Sequence, residues 1–169
     1  MITADVTKAK QLADMVIVLP HWGTEYVYTP DSNQNYWTQL FLSLGVDVVI
    51  GTHPHVLEPV EVVSDTKGHE MLVYYSLGNF VSNQDQKPRM IGGMAKMTLV
   101  KDETGCYVKN YNLTPVITQK LFGKKAITTY KLSDYTESLA SGNAIRNDSG
   151  CSDFSLSYCQ TLIKQIEAL

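Results

Sequence analysis

The chain has 169 residues, 44% of them hydrophobic and 18% charged, enough apolar material for one ordinary domain with a core. A net charge of -3 and a pI near 5.7, with scattered lysines and a single adjacent pair at Lys124–Lys125, exclude a nucleic-acid-binding surface. No run reaches membrane-spanning length, the N-terminal stretch lacks the basic-then-apolar pattern of a signal peptide, and Cys106, Cys151 and Cys159 have no zinc-thiolate spacing.

Taken in chain order, Asp5 to Asp14 reads as a short helix with Val6, Ala9 and Leu12 three apart. The stretch "MVIVLP" (15–20) is then a strand apolar on both faces, as in a sheet covered on both sides. A helix follows from Ser32 to Gly45, with Tyr36, Trp37, Leu40, Phe41 and Leu44 as its expected buried stripe. "DVVIG" (47–51) is the next buried strand, and this β-α-β order predicts a parallel pair with a right-handed crossover.

The middle reads as two hairpins. The first spans 59–76 and turns at Asp65 to Gly68; the second spans 94–113 and turns at Asp102 to Gly105. Two helices are expected in the tail, Ser133 to Ala140 and Asp153 to Leu169, with Ser141 to Ser152 between them as a flexible linker. On the last helix Phe154, Tyr158, Cys159, Leu162, Ile163, Ile166 and Leu169 mark one apolar face, which makes Cys159 a core residue.

Three of the four histidines stand where the two buried strands end. In α/β sheets the carboxyl ends of parallel strands are where ligands gather. If the strands are neighbours, His21, His53 and His55 converge. Pro54 is expected to hold His53 extended, so that both imidazoles of the His-Pro-His step face one way. Neutral imidazoles suit Zn, Mn, Fe or Ni, and Glu25, Glu58 or Asp47 could accept from their ring N–H groups. His69, in the turn "TKGHE", is expected to be exposed. "LVYYSLGNF" (72–80) ends a third strand with Ser76 and Asn79 at its tip. Nothing there resembles a G-x-S-x-G elbow, so a Ser76–His55–Asp47 triad exists on paper only.

Together "HWGTEY", "GVDVVIGTHPHVLEPVE" and "YYSLGNF" resemble the bacterial capsule-synthesis (CapA, PgsA) family of poly-γ-glutamate capsule assembly, a branch of the calcineurin-like metallophosphoesterases. The resemblance covers about Asp5 to Phe80. It implies a partial calcineurin-like α/β fold with a β-α-β core, antiparallel hairpins and C-terminal helices. Residues 1–121 would form the C-terminal half of such a domain, and 122–169 a helical extension packed on it.

The resemblance further implies that His21 and His53 share one divalent metal ion and that His55 reaches a second. Glu25, Ser76 and Asn79 would line the substrate cleft, Glu61 would match the family's acid, and Glu58 stands where the family often has Gln. The early motifs that carry the superfamily's carboxylate ligands and catalytic pair would precede residue 1, so catalytic residues are not assignable here. Three imidazoles alone would hold one ion weakly or none. The expected substrate is a phosphoester or, in a non-catalytic reading, the ligand is an anionic polymer. The expected setting is the bacterial cell surface. An unpaired edge at the first strand is expected to be covered by a symmetry mate in a homodimer, by a swapped element or by the C-terminal helix, and association with a missing N-terminal half is the other partner expected.

Overall fold

A computed structural model of the chain describes all residues except 122–125, so the Lys124–Lys125 pair and the expected boundary at 121/122 lie outside the described residues. The fold is mixed α/β. Helix α1 (Ile2–Leu12) leads to β1 (Ile17–Val18), α2 (Ser32–Ser43) and β2 (Val48–Ile50). Strands β3 (Val60–Ser64) and β4 (Glu70–Tyr74) follow, and these four strands form one sheet in the order β1-β2-β4-β3. β1, β2 and β4 run parallel, with β3 antiparallel at the far edge. The α2 crossover between β1 and β2 is the predicted β-α-β unit.

A second, antiparallel sheet comprises β5 (Ile91–Asp102), β6 (Gly105–Leu121) and β7 (Ala126–Lys131). It carries the second predicted hairpin, longer than expected, plus a strand that had no place in the sequence reading. Helices α3 (Glu137–Ser141) and α4 (Leu156–Glu167) close the chain.

Three apolar clusters order these elements in layers. α1 and α2 cover one face of the first sheet through Val6, Trp22, Phe41, Leu42, Val49, Met71 and Val73. The opposite face, Val48, Leu72 and Tyr74, meets Ala95, Met97, Val108 and Leu113 of the second sheet. Beyond that sheet, Ile91 and Ile117 pack with Ile145, Cys151, Phe154, Cys159, Ile163 and Ile166. Cys159 is a core residue, as its spacing predicts.

The structure corrects several expectations. α2 buries Gln34, Thr38, Phe41 and Leu42, and Tyr36 is 63% exposed. The expected linker 141–152 is packed: Asn143, Ile145 and Cys151 are buried, and Ala144–Asn147 form a 3-10 turn. Leu169 lies exposed beyond α4. β1 is not covered on both sides, since Ile17 is 43% and Leu19 73% exposed at the sheet's edge. α4 leaves that edge alone, because its apolar face is already spent on the second sheet.

Candidate metal centre

Beyond β1 and β2 the two segments stay in register without a formal ladder. His21 pairs with Thr52 in a parallel bridge, Trp22 N–H donates to Thr52 O at 3.0 Å, and Thr52 N–H donates to Pro20 O at 3.1 Å. This brings His21 beside the His-Pro-His step. Gly51 makes the approach possible: a Cβ there would run into the Tyr75 carbonyl and the Trp22 indole nitrogen, which donates to that carbonyl at 2.9 Å.

The rings of His21 and His53 then lie 4.6 Å apart between centroids, and those of His53 and His55 6.2 Å apart. The expected extended geometry does not hold. His53 has φ 109° and His55 φ 60°, and Tyr26, whose N–H donates to Pro54 O at 2.7 Å, has φ 67°. Left-handed backbone at three non-glycine residues in one place is conformational strain, of a kind that gathers at functional sites. The sharp turn, rather than a strand's alternation, is what aims the two imidazoles.

His55 is the best-anchored of the three. Its Nδ1 lies 2.8 Å from Asn79 Oδ1, and its Nε2 3.7 Å from Glu25 Oε1. Its ring stacks on Tyr26 with centroids 6.1 Å apart, and the Arg89 guanidinium sits over the Tyr26 ring, 3.6 Å from its centroid. Arg89 Nη1 also donates to Asp85 at 3.0 Å and to Gln84 at 3.1 Å. Arg89 was not a sequence candidate. It lies ten residues past Asn79 in a segment without apolar rhythm, and no local signal marks it.

Other candidates fall elsewhere. Ser76 is buried, with its hydroxyl donating to Val56 O at 2.7 Å and accepting from Gly78 N–H at 3.1 Å, contacts that brace the loop. Asp47 is at the opposite end of β2, where its Oδ2 accepts from Lys10 Nζ at 3.0 Å and Val16 N–H at 2.7 Å. It serves neither the histidines nor a triad. Glu58 is buried and accepts from Gln34 Nε2 at 2.6 Å, with its Oε1 unpartnered; burial pushes its carboxyl up to about 7. Glu61 lies exposed on β3, opposite Val73. His69, expected to be exposed, is half-buried and donates from Nε2 to Val46 O at 2.8 Å. A cavity of about 210 Å³ between β3, β6 and the end of α4 holds none of the histidines.

Among the described residues no group of three or more His, Cys, Asp or Glu side chains already stands in ligating geometry. What the structure brings together is three imidazole donors, His21, His53 and His55, with Glu25 beside the last. By themselves they do not form a closed set of metal ligands.

Residues 1–84 match the family described as bacterial capsule synthesis protein PGA_cap, a span that contains His21, His53, His55 and Asn79. The chain is similar to the PGA biosynthesis protein CapA of Bacillus subtilis (strain 168), 36% identical over 111 residues, which is 66% of this chain and 27% of that protein. It is also similar to the capsule biosynthesis protein CapA of Bacillus anthracis, 39% identical over 72 residues, 43% of this chain and 16% of that protein. The chain thus spans well under half the length of these relatives.

Proposed function

This chain belongs, through residues 1–84, to the bacterial capsule synthesis protein family, and from that premise we propose that it serves poly-γ-glutamate capsule assembly at the cell surface by contributing the imidazole part of a divalent-metal site of the phosphoesterase type. One observation carries the reading: imidazoles from the ends of two separate strands meet, His21 against His53 at 4.6 Å, on a backbone strained to bring them there. Packing alone gives no reason for that strain, because His21 is exposed and His53 and His55 are only half-buried.

His21 and His53 would hold one ion between them, and His55 would address a second, with Glu25 the nearest carboxylate. When bound, such ions supply Lewis acidity at a phosphoryl oxygen. The remaining ligands would come from a further polypeptide segment or a second copy pairing along the open β1 edge, where Ile17 and Leu19 are exposed. These 169 residues alone would turn over substrate slowly or not at all. An anionic-polymer binding role without metal is less favoured, since the chain is net negative and Glu25 stands at the site.

The deciding experiment is metal content by plasma mass spectrometry on the purified chain, beside the His21→Ala, His53→Ala, His55→Ala triple variant. About one Mn, Zn, Fe or Ni per chain, lost in the variant, is the expected result. Equal metal in both would show that the histidines are not ligands. Binding of poly-γ-glutamate by a metal-free chain would favour the polymer reading instead.

A further inference from the structure

We propose that Asn79 is a positioning residue that locks His55 in the Nδ1–H tautomer and so presents its Nε2 lone pair at the open surface. The purpose of this device rests on the metal reading above; its chemistry does not.

Asn79 makes three contacts, and two of them fix the third. Its Nδ2 lies 3.1 Å from His55 O and 3.0 Å from Arg89 O. Both partners are carbonyl oxygens that can only accept, so the amide nitrogen must occupy that position; the flipped amide would set three oxygens against one another. With Nδ2 assigned, the atom facing the imidazole is Oδ1, a pure acceptor 2.8 Å from His55 Nδ1. In neutral His55 the proton must then sit on Nδ1, and Nε2 is left unprotonated. This is the less common tautomer of free histidine, so something must hold it.

The amide is itself held rigidly. Asn79 is 7% exposed, and its backbone is pressed against β5 at Gly92, where any Cβ would collide with the Asn79 carbonyl. Gly78 and Gly92 form the antiparallel bridge that sets this approach. Because Asn79 grips both the ring and the backbone carbonyl of His55, it also supports the left-handed φ of 60° that aims the ring. The side of Nε2 faces Glu25 Oε1 at 3.7 Å, too long for a hydrogen bond and open to a third atom between them.

The test is long-range ¹H–¹⁵N correlation NMR of the histidine rings near pH 8 in the metal-free chain, with His55 assigned by His55→Gln. The expected spectrum shows His55 with a protonated Nδ1 and an unprotonated Nε2. Asn79→Leu should lose it, and so should the smaller Asn79→Ala, each with an amide spectrum otherwise that of the folded chain. In Zn²⁺ titrations Asn79→Leu should bind roughly 10- to 100-fold more weakly, the usual cost of removing a residue that orients a ligating ring. An Nε2–H tautomer in the parent chain, or an unchanged Nδ1–H tautomer in Asn79→Leu, overturns the proposal. Failure of Asn79→Leu to fold leaves the parent and Asn79→Ala spectra to decide it. Should the tautomers follow expectation while no variant alters Zn²⁺ binding, Asn79 fixes the ring as proposed and the metal reading is what fails.

Discussion

Gln34 and Glu58 meet through a 2.6 Å hydrogen bond beneath the start of α2, and the orientation of the amide is not free to change. Gln34 Oε1 accepts from Asp31 N–H at 2.9 Å as one arm of a capping box, so Nε2 must donate to the carboxyl. Glu58 therefore has one oxygen that accepts and one, Oε1, without a partner, in a position 1% exposed.

Stability should consequently depend on pH through Glu58. Its carboxyl is raised from 4.5 to about 7 in the folded chain, chiefly by desolvation. Between those values the folded state holds a proton that the unfolded state has released, so the contribution is full below about pH 4.5 and lost as pH rises through 7. The amplitude is on the order of 3 kcal/mol. Glu58→Gln should flatten this slope and be the more stable protein at pH 8. Urea midpoints from pH 5 to 8 that fall in parallel for both chains would contradict this.

The other arm of the capping box can be tested alone. Asp31 Oδ1 accepts from Gln34 N–H at 2.8 Å and Oδ2 from Thr24 Oγ1 at 2.7 Å, and these bonds hold its carboxyl below the usual range. Asp31→Ala should cost about 1–2 kcal/mol in urea unfolding. Asp31→Asn should recover most of it. Equal losses in both would point to charge rather than the hydrogen bond.

Gly51→Ala should be among the most damaging small substitutions. The added methyl would displace either the Tyr75 carbonyl or the Trp22 indole from their 2.9 Å bond. We expect a loss of about 2 kcal/mol or more, with tryptophan emission shifted to the red as the buried Trp22 indole is pushed toward water. A melting temperature within a degree of the parent would show that the two segments can separate freely.

Thiol reactivity should report how tightly the tail is packed. Cys151 and Cys159 are buried, and desolvation pushes the Cys159 thiol up to about 12, whereas Cys106 is partly open on β6. Native chain near pH 8 should react quickly with a disulfide reagent at one cysteine and at all three only in denaturant. Fast labelling of Cys159 in the native state would mean that α4 leaves its seat readily.

What the sequence determined by itself is whatever depends on neighbours along the chain. The β-α-β order, both hairpin turns and the face of α4 follow from short periodicities, and the histidines' place at strand ends followed from the breaks in apolar runs. Tertiary structure decided the rest, wherever a partner is distant. Apolar spacing turned α2 toward Tyr36, but Gln34 has a buried acceptor waiting in Glu58 and the helix buries that side instead. His69 looks free within its turn until Val46 O arrives from another strand. The segment after Gly142 lacks apolar rhythm, yet Ile145 and Cys151 are buried because the second sheet and α4 need their volume between them. In the sequence Asn79 is a candidate to line the site, at the tip of the third strand, with nothing to tie it to His55. It becomes the anchor of His55 because Gly92, on another strand, lets its backbone come close enough to hold the ring.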